Sequence, residues 1–167
     1  MIKHRMRFYA VLFLMLLGLG STFAQTSTRT PNSAESISPH DLTGLANKFS
    51  DYGTDFNSMQ KAAQGAKIEV LGNLGEAALS ASKDLTALNT ELAMYDAISC
   101  SIDRLKVKRI LTVSLTYYIE SLESAIILVN ETLTLVKSPA GAQTGIQMKN
   151  DMRGAKQKLE AILASLH

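Results

Sequence analysis

Tryptophan is absent from this chain, cysteine occurs once and proline three times. Each scarcity excludes something. A lone cysteine, Cys100, closes no internal disulfide, so packing alone must hold the fold together. Neither glycine nor proline occurs from Glu76 up to Pro139, which leaves that stretch free of the usual helix breakers. Histidine is also scarce, with only His4, His40 and His167. A di-iron bundle requires Glu-x-x-His pairs and a c-type haem requires Cys-x-x-Cys-His; the sequence has neither. Two peripheral histidines support no Ser-His-Asp or Cys-His arrangement. The glycines of "GAQTG" (141–145) lack the Lys-Ser/Thr ending of a phosphate loop. The expectation is therefore a non-enzyme with no cofactor.

Residues 1–24 read as a cleavable secretory signal. Lys3, Arg5 and Arg7 precede an apolar run from Phe8 to Leu19, and Thr22 and Ala24 occupy the −3 and −1 positions of a cleavage site. No cysteine stands at the cut, which disfavours a lipoprotein anchor. The mature chain would be periplasmic or extracellular. The whole sequence carries 17 Lys+Arg against 15 Asp+Glu, and the signal takes three of the basic residues and none of the acidic ones. What remains is close to neutral, which disfavours nucleic acid as a partner.

Residues 25–38, "QTSTRTPNSAESIS", have no apolar periodicity and read as a disordered leader. Ser38 and Pro39 then suit the N-cap and first position of a helix. From there four runs of apolar residues keep steps of three and four. The first is Leu42, Leu45, Phe49, Tyr52, Phe56, Met59 and Ala63. The second is Leu71, Leu74, Ala78, Ala81, Leu85, Leu88, Leu92 and Tyr95. The third is Leu115, Ile119, Leu122, Ile126, Val129, Leu133 and Val136. The fourth is Met148, Met152, Ala155, Leu159, Ile162 and Leu166. This is the 3.5-residue period of helices packed with a left-handed supercoil.

One of the most apolar parts of the chain, "LESAIILVNETLTLVKSP" (122–139), raises the question of a membrane span. Glu123, Asn130, Glu131 and Lys137 interrupt it, which points to a bundle helix without a continuous spanning segment. Ile127, Leu128 and Leu135 widen its apolar face, as expected of a helix with neighbours on two sides. Ser138-Pro139 should end it, with "SPAGAQTG" as the following turn. Gly65 suits a turn after the first helix. A break near "SCSID" (99–103), with Ser101 or Asp103 as a cap, divides the long Gly- and Pro-free stretch; the rival is one helix of about 70 residues, ~105 Å long.

The expected fold is all-α: an up-down-up-down antiparallel four-helix bundle over residues 39–167, with coiled-coil-like heptad packing. Its helices are expected at about 39–63, 67–98, 103–137 and 143–166. The two central helices outrun the outer pair, so the hairpin at Cys100 should protrude or meet another chain. His40, Asp41, Cys100, Asp103 and His167 then fall toward one pole, where His40, Cys100 and His167 are weak zinc or copper candidates, weak because the helix-length differences set Cys100 more than ~10 Å from the others. Cys100 is also a candidate for a disulfide between two copies. Arg104, Lys106, Lys108 and Arg109 form a basic cluster suited to an acidic partner and, more weakly, to a membrane surface. The expected role is a non-catalytic interaction or structural module, in the manner of accessory components of cell-envelope, secretion or conjugation assemblies. The alternative is an extracytoplasmic carrier holding an apolar ligand or a metal between its helices, with space left opposite Ala78 and Ala81.

Overall fold

The computed structural model describes residues 40–63 and 67–166, excluding the side chains of His40, Asp41 and Lys67. The expected signal, leader, Ser38 cap, Gly65 turn and His167 lie outside the described residues. Within those residues the chain forms four helices and no strand: α1 (His40–Ala62), α2 (Lys67–Ala97), α3 (Ser101–Leu133) and α4 (Pro139–Ser165).

The long Gly- and Pro-free stretch is broken, not continuous. α2 ends at Ala97, and Cys100 serves as N-cap of α3 with extended backbone (φ −76°, ψ 123°). Its side chain makes no cap bond, but its carbonyl accepts the Arg104 N–H at 2.9 Å. Ser101 and Asp103 are therefore not caps; they lie inside the first turn, where the Asp103 charge suits the helix dipole. The third helix starts earlier than its expected residue 103 and ends at Leu133, before residue 137.

A second correction concerns Ser138-Pro139. The pair does not terminate α3. Thr134 has already done so, its hydroxyl donating to the Glu131 carbonyl at 2.7 Å. Ser138 is instead the N-cap of α4, accepting the Gly141 N–H at 3.4 Å, and Pro139 opens the helix. Proline lacks only a donor that the first turn leaves unbonded anyway, and its fixed φ is helical. "SPAGAQTG" is thus the start of α4 and not a loop.

The four expected stripes form the core. Leu42, Phe49, Phe56, Leu74, Leu85, Leu88, Leu92, Leu115, Met148, Met152 and Leu159 are all essentially inaccessible to solvent. Leu45, Met59, Tyr95, Ile119, Leu133, Val136 and Ile162 pack around them, partly buried. Each buried Leu or Phe contributes about 1.5–3 kcal/mol, which makes the stripes the main source of stability.

α1 and α2 pack most extensively, because small residues let their backbones approach. A Cβ at Gly53 would lie 2.6 Å from Leu79 Cδ2 and 3.5 Å from the Gly75 carbonyl oxygen. Ala78 and Ala81 are also buried, and such small residues on the stripe of α2 suit the same close approach. Gly145 does this for α4: a Cβ there would meet Leu133 at 2.5 Å and Phe56 Cζ at 3.7 Å. Phe56 therefore sits where α1, α2 and α4 converge.

Polar ties join neighbouring helices at the rim. Asn89 donates to Thr43 (3.1 Å), Ser121 to Asp84 (2.9 Å), and Lys149 to Asn130 (3.0 Å); Lys156 pairs with Glu123. Between α1 and α4, the Tyr52 hydroxyl donates to Asp151 at 2.5 Å and Lys48 pairs with the same carboxylate at 2.9 Å.

The wide face of α3 is not used as expected. Ile127 and Leu128 are exposed, as is Leu135 in the turn after the helix, and only Leu111, Leu115, Leu122, Ile126, Val129 and Thr132 are buried from α3. Among the described residues α3 is the one helix long and apolar enough to cross a membrane, and 22% of its most apolar 18-residue stretch is buried.

Candidate functional site

The last solvent-free layer toward the α2–α3 connection is Leu92 with Leu111. Beyond it the helices continue without a closed core. α2 runs on for another turn to Ala97, and the first ten residues of α3 precede Leu111. Tyr95, Ile98, Val107 and Ile110 are only partly buried, Met94 is exposed, and Ile102 and Leu105 are 64% and 61% exposed. This tip presents apolar side chains to solvent that could be covered only by something outside the described fold.

The basic cluster surrounds that apolar patch but does not act as a unit. Arg104 folds back over the Tyr95 ring, its guanidinium carbon 4.8 Å from the centroid, a contact worth about 0.5–1 kcal/mol at a partly exposed site. Its charge also favours the ionised form of Asp96, although desolvation dominates there and raises that carboxyl above its ordinary value. Lys106 lies 3.6 Å from Asp103 in an exposed pair. Such pairs contribute little, about 0–1 kcal/mol. Lys108 is half-buried and Arg109 is exposed. Arg104 therefore staples the tip together, while Lys106 and Arg109 carry the outward charge.

Cys100 is a free, exposed thiol at the apex of the connection. The other two metal candidates do not join it in any described site, since the side chain of His40 and all of His167 lie outside the described residues. Among the described residues no three His, Cys, Asp or Glu side chains are grouped to hold a metal ion.

Below the tip lies a feature that the sequence analysis missed. Asp84 and Glu91 sit one heptad apart on α2 and face α3. Burial raises both carboxyls above their ordinary range, partly opposed by Ser121 at Asp84 and by Ser114 and Tyr118 at Glu91. One oxygen of Glu91 is buried without a hydrogen-bond partner. Burial and these same carboxylates raise the Tyr118 phenol well above its normal value. Desolvation of these carboxyls weakens the α2–α3 seam. The signal was present in the spacing: each carboxylate immediately precedes a core leucine, Leu85 or Leu92.

No family model, curated protein or solved structure matches this chain.

Proposed function

We propose that this chain is an exported, non-catalytic helical interaction module: an antiparallel up-down-up-down bundle whose α2–α3 tip docks on a protein partner. The observation that carries the reading is the tip itself, with Met94, Ile102 and Leu105 exposed beside Lys106 and Arg109 beyond the last closed layer. Exposed apolar groups with a charged surround suit a partner surface better than open solvent. The antiparallel topology draws support from residue pairs that rise on one helix as they fall on the next. Thr43 meets Asn89 while Gly53 meets Leu79; Asp84 meets Ser121 while Asp96 neighbours Arg104; Glu123 meets Lys156 while Asn130 meets Lys149. Export rests on residues 1–24, which have the order of a signal peptide. An accessory place in a cell-envelope, secretion or conjugation assembly is consistent with such a module.

The test is a photo-reactive residue at Ile102, with Lys83, exposed and remote on α2, as control. Irradiation in the native compartment is expected to give an adduct of discrete mass at 102 and none at 83. No adduct at 102 overturns the docking role. A rise in melting temperature with zinc, copper or a lipid would favour the carrier instead, because a ligand bound only to the folded state must stabilise it.

A further inference from the structure

α3 has two apolar faces. Leu111, Leu115, Leu122 and Val129 point into the core. On the opposite side of the helix, by its rotation of about 100° per residue, lie Val113 and Ile127. They are 56% and 53% exposed. Arg109, Glu120 and Glu131 lie on the same outer line and are exposed as well. Neither Arg109 nor Glu131 is in an ion pair among the described residues.

The line is a palindrome. Arg109, Val113, Glu120, Ile127 and Glu131 follow one another at spacings of 4, 7, 7 and 4 residues. Reversed about Glu120, valine falls on isoleucine and arginine on glutamate. From this we infer that the outer face of α3 pairs antiparallel with the same face of a second copy, on a two-fold axis at Glu120. The inference rests on the reading of the chain as an interaction module and names one of its partners.

The chemistry suits that occupant. In such a dimer each unit's Arg109 meets the other's Glu131, and Val113 with Ile127 excludes water between them. Lys106 adds positive charge one turn from Arg109, so a basic first half of the face meets an acidic second half. A two-fold interface requires this self-complementarity, and a parallel arrangement would instead set Arg109 on Arg109 and Glu131 on Glu131. From Arg109 to Glu131 the stripe runs for ~33 Å, long enough for a continuous helix–helix seam. The two Glu120 side chains meet at the axis, and their repulsion limits the affinity.

The test is solution mass by light scattering on the full chain as processed and purified from its native compartment, at high micromolar concentration with reductant present. The wild type is expected to be a dimer. Arg109→Glu should raise the dissociation constant by about tenfold, since it sets glutamate against glutamate twice. Arg109→Glu with Glu131→Arg should restore the dimer, and Glu120→Gln should tighten it. Orientation is read separately on a Cys100→Ser background. Val113→Cys with Ile127→Cys should cross-link two copies, whereas Val113→Cys alone should not, its mates being ~21 Å apart. A monomer overturns the inference, including a monomer that binds anionic phosphatidylglycerol vesicles through α3. So does a dimer indifferent to Arg109→Glu, a swap that fails to rescue, or a dimer cross-linked by Val113→Cys alone. A monomer that keeps the Ile102 photo-adduct removes the self-pairing and leaves the interaction module standing.

Discussion

The contact between α1 and α4 is slight, and beside the approach of Phe56 to Gly145 it is held by one polar knot, so removing the Tyr52 hydroxyl should be measurable. Tyr52→Phe keeps the ring, which packs beside Phe49 with centroids 6.3 Å apart. What is lost is the 2.5 Å bond to Asp151. A hydrogen bond to a charged group contributes about 1.5–3 kcal/mol. The Asp151 side chain is only 17% exposed, but Lys48 and Gln147 still reach it, so its charge is not stranded. The expected loss is therefore about 1–2 kcal/mol, or a fall in melting temperature of ~3–10 °C for a domain of this size. Lys48→Met should cost less, about 0.5 kcal/mol, because that side chain is half exposed.

The pH dependence makes the prediction specific. Desolvation pushes the Asp151 carboxyl up, but the Lys48 and Tyr52 hydrogen bonds outweigh it, and the net shift is downward from 3.8. A carboxylate with a lowered folded pKa binds fewer protons when folded than when unfolded. Its stabilisation is present above its unfolded value and disappears as pH falls through the folded one. The Tyr52 phenol is raised, first by burial and then by Asp151, so it keeps its proton past its ordinary 10.0. The gap between wild type and Tyr52→Phe should be flat from about pH 5 to 9 and close below about pH 4. Urea unfolding followed by circular dichroism at pH 7 and pH 3 measures both. A variant within ~0.3 kcal/mol of wild type at pH 7, or an equal loss at both pH values, would refute the reasoning.

Phe56→Ala should cost about 3–5 kcal/mol, since it empties the point where three helices converge; thermal unfolding reads this directly. Gly53→Val should destabilise the fold, because a branched side chain cannot enter a gap in which even a Cβ lies 2.6 Å from Leu79. Glu91→Gln should raise the melting temperature at pH 7. Burial lifts the folded pKa of Glu91, so its share of stability is complete below the unfolded value and is lost as pH rises through the folded one; the advantage of the variant should vanish near pH 3. Cys100 should react with a maleimide in the native state at the rate of a free thiol, as its exposure requires, and slow labelling would place it inside an interface.

Much of the core was legible because burial leaves a periodic trace. Phe49, Phe56, Leu74, Leu88, Leu115, Met152 and Leu159 were all placed by steps of three and four, and all are solvent-free. Helix ends were less legible. A Ser-Pro pair can end one helix or start another by the same physics; here Ser138-Pro139 only starts α4, because α3 has already ended at Thr134. The glycines were the largest omission. Gly53, Gly75 and Gly145 have no side chain to register in a hydrophobic pattern, yet they set how closely α1, α2 and α4 pack.

The exposed faces were hidden for a different reason. Periodicity says that Ile127, Leu128 and Leu135 belong to an apolar surface, but not which neighbour covers it. A wide apolar face suits a helix with neighbours on two sides, which assigns them to the bundle. In the fold, the two neighbours of α3 are satisfied by Leu111, Leu115, Leu122, Ile126 and Val129, and the remaining apolar residues face solvent. An excess of hydrophobicity beyond what the core consumes is the sequence trace of a surface that is covered elsewhere. In this chain that excess is concentrated on α3, which carries both the tip and the palindromic stripe. Substitutions on its outer face should therefore alter assembly while leaving the melting temperature of the isolated fold nearly unchanged; Val113→Ser and Ile127→Ser, compared by light scattering and thermal unfolding at low concentration, separate the two effects.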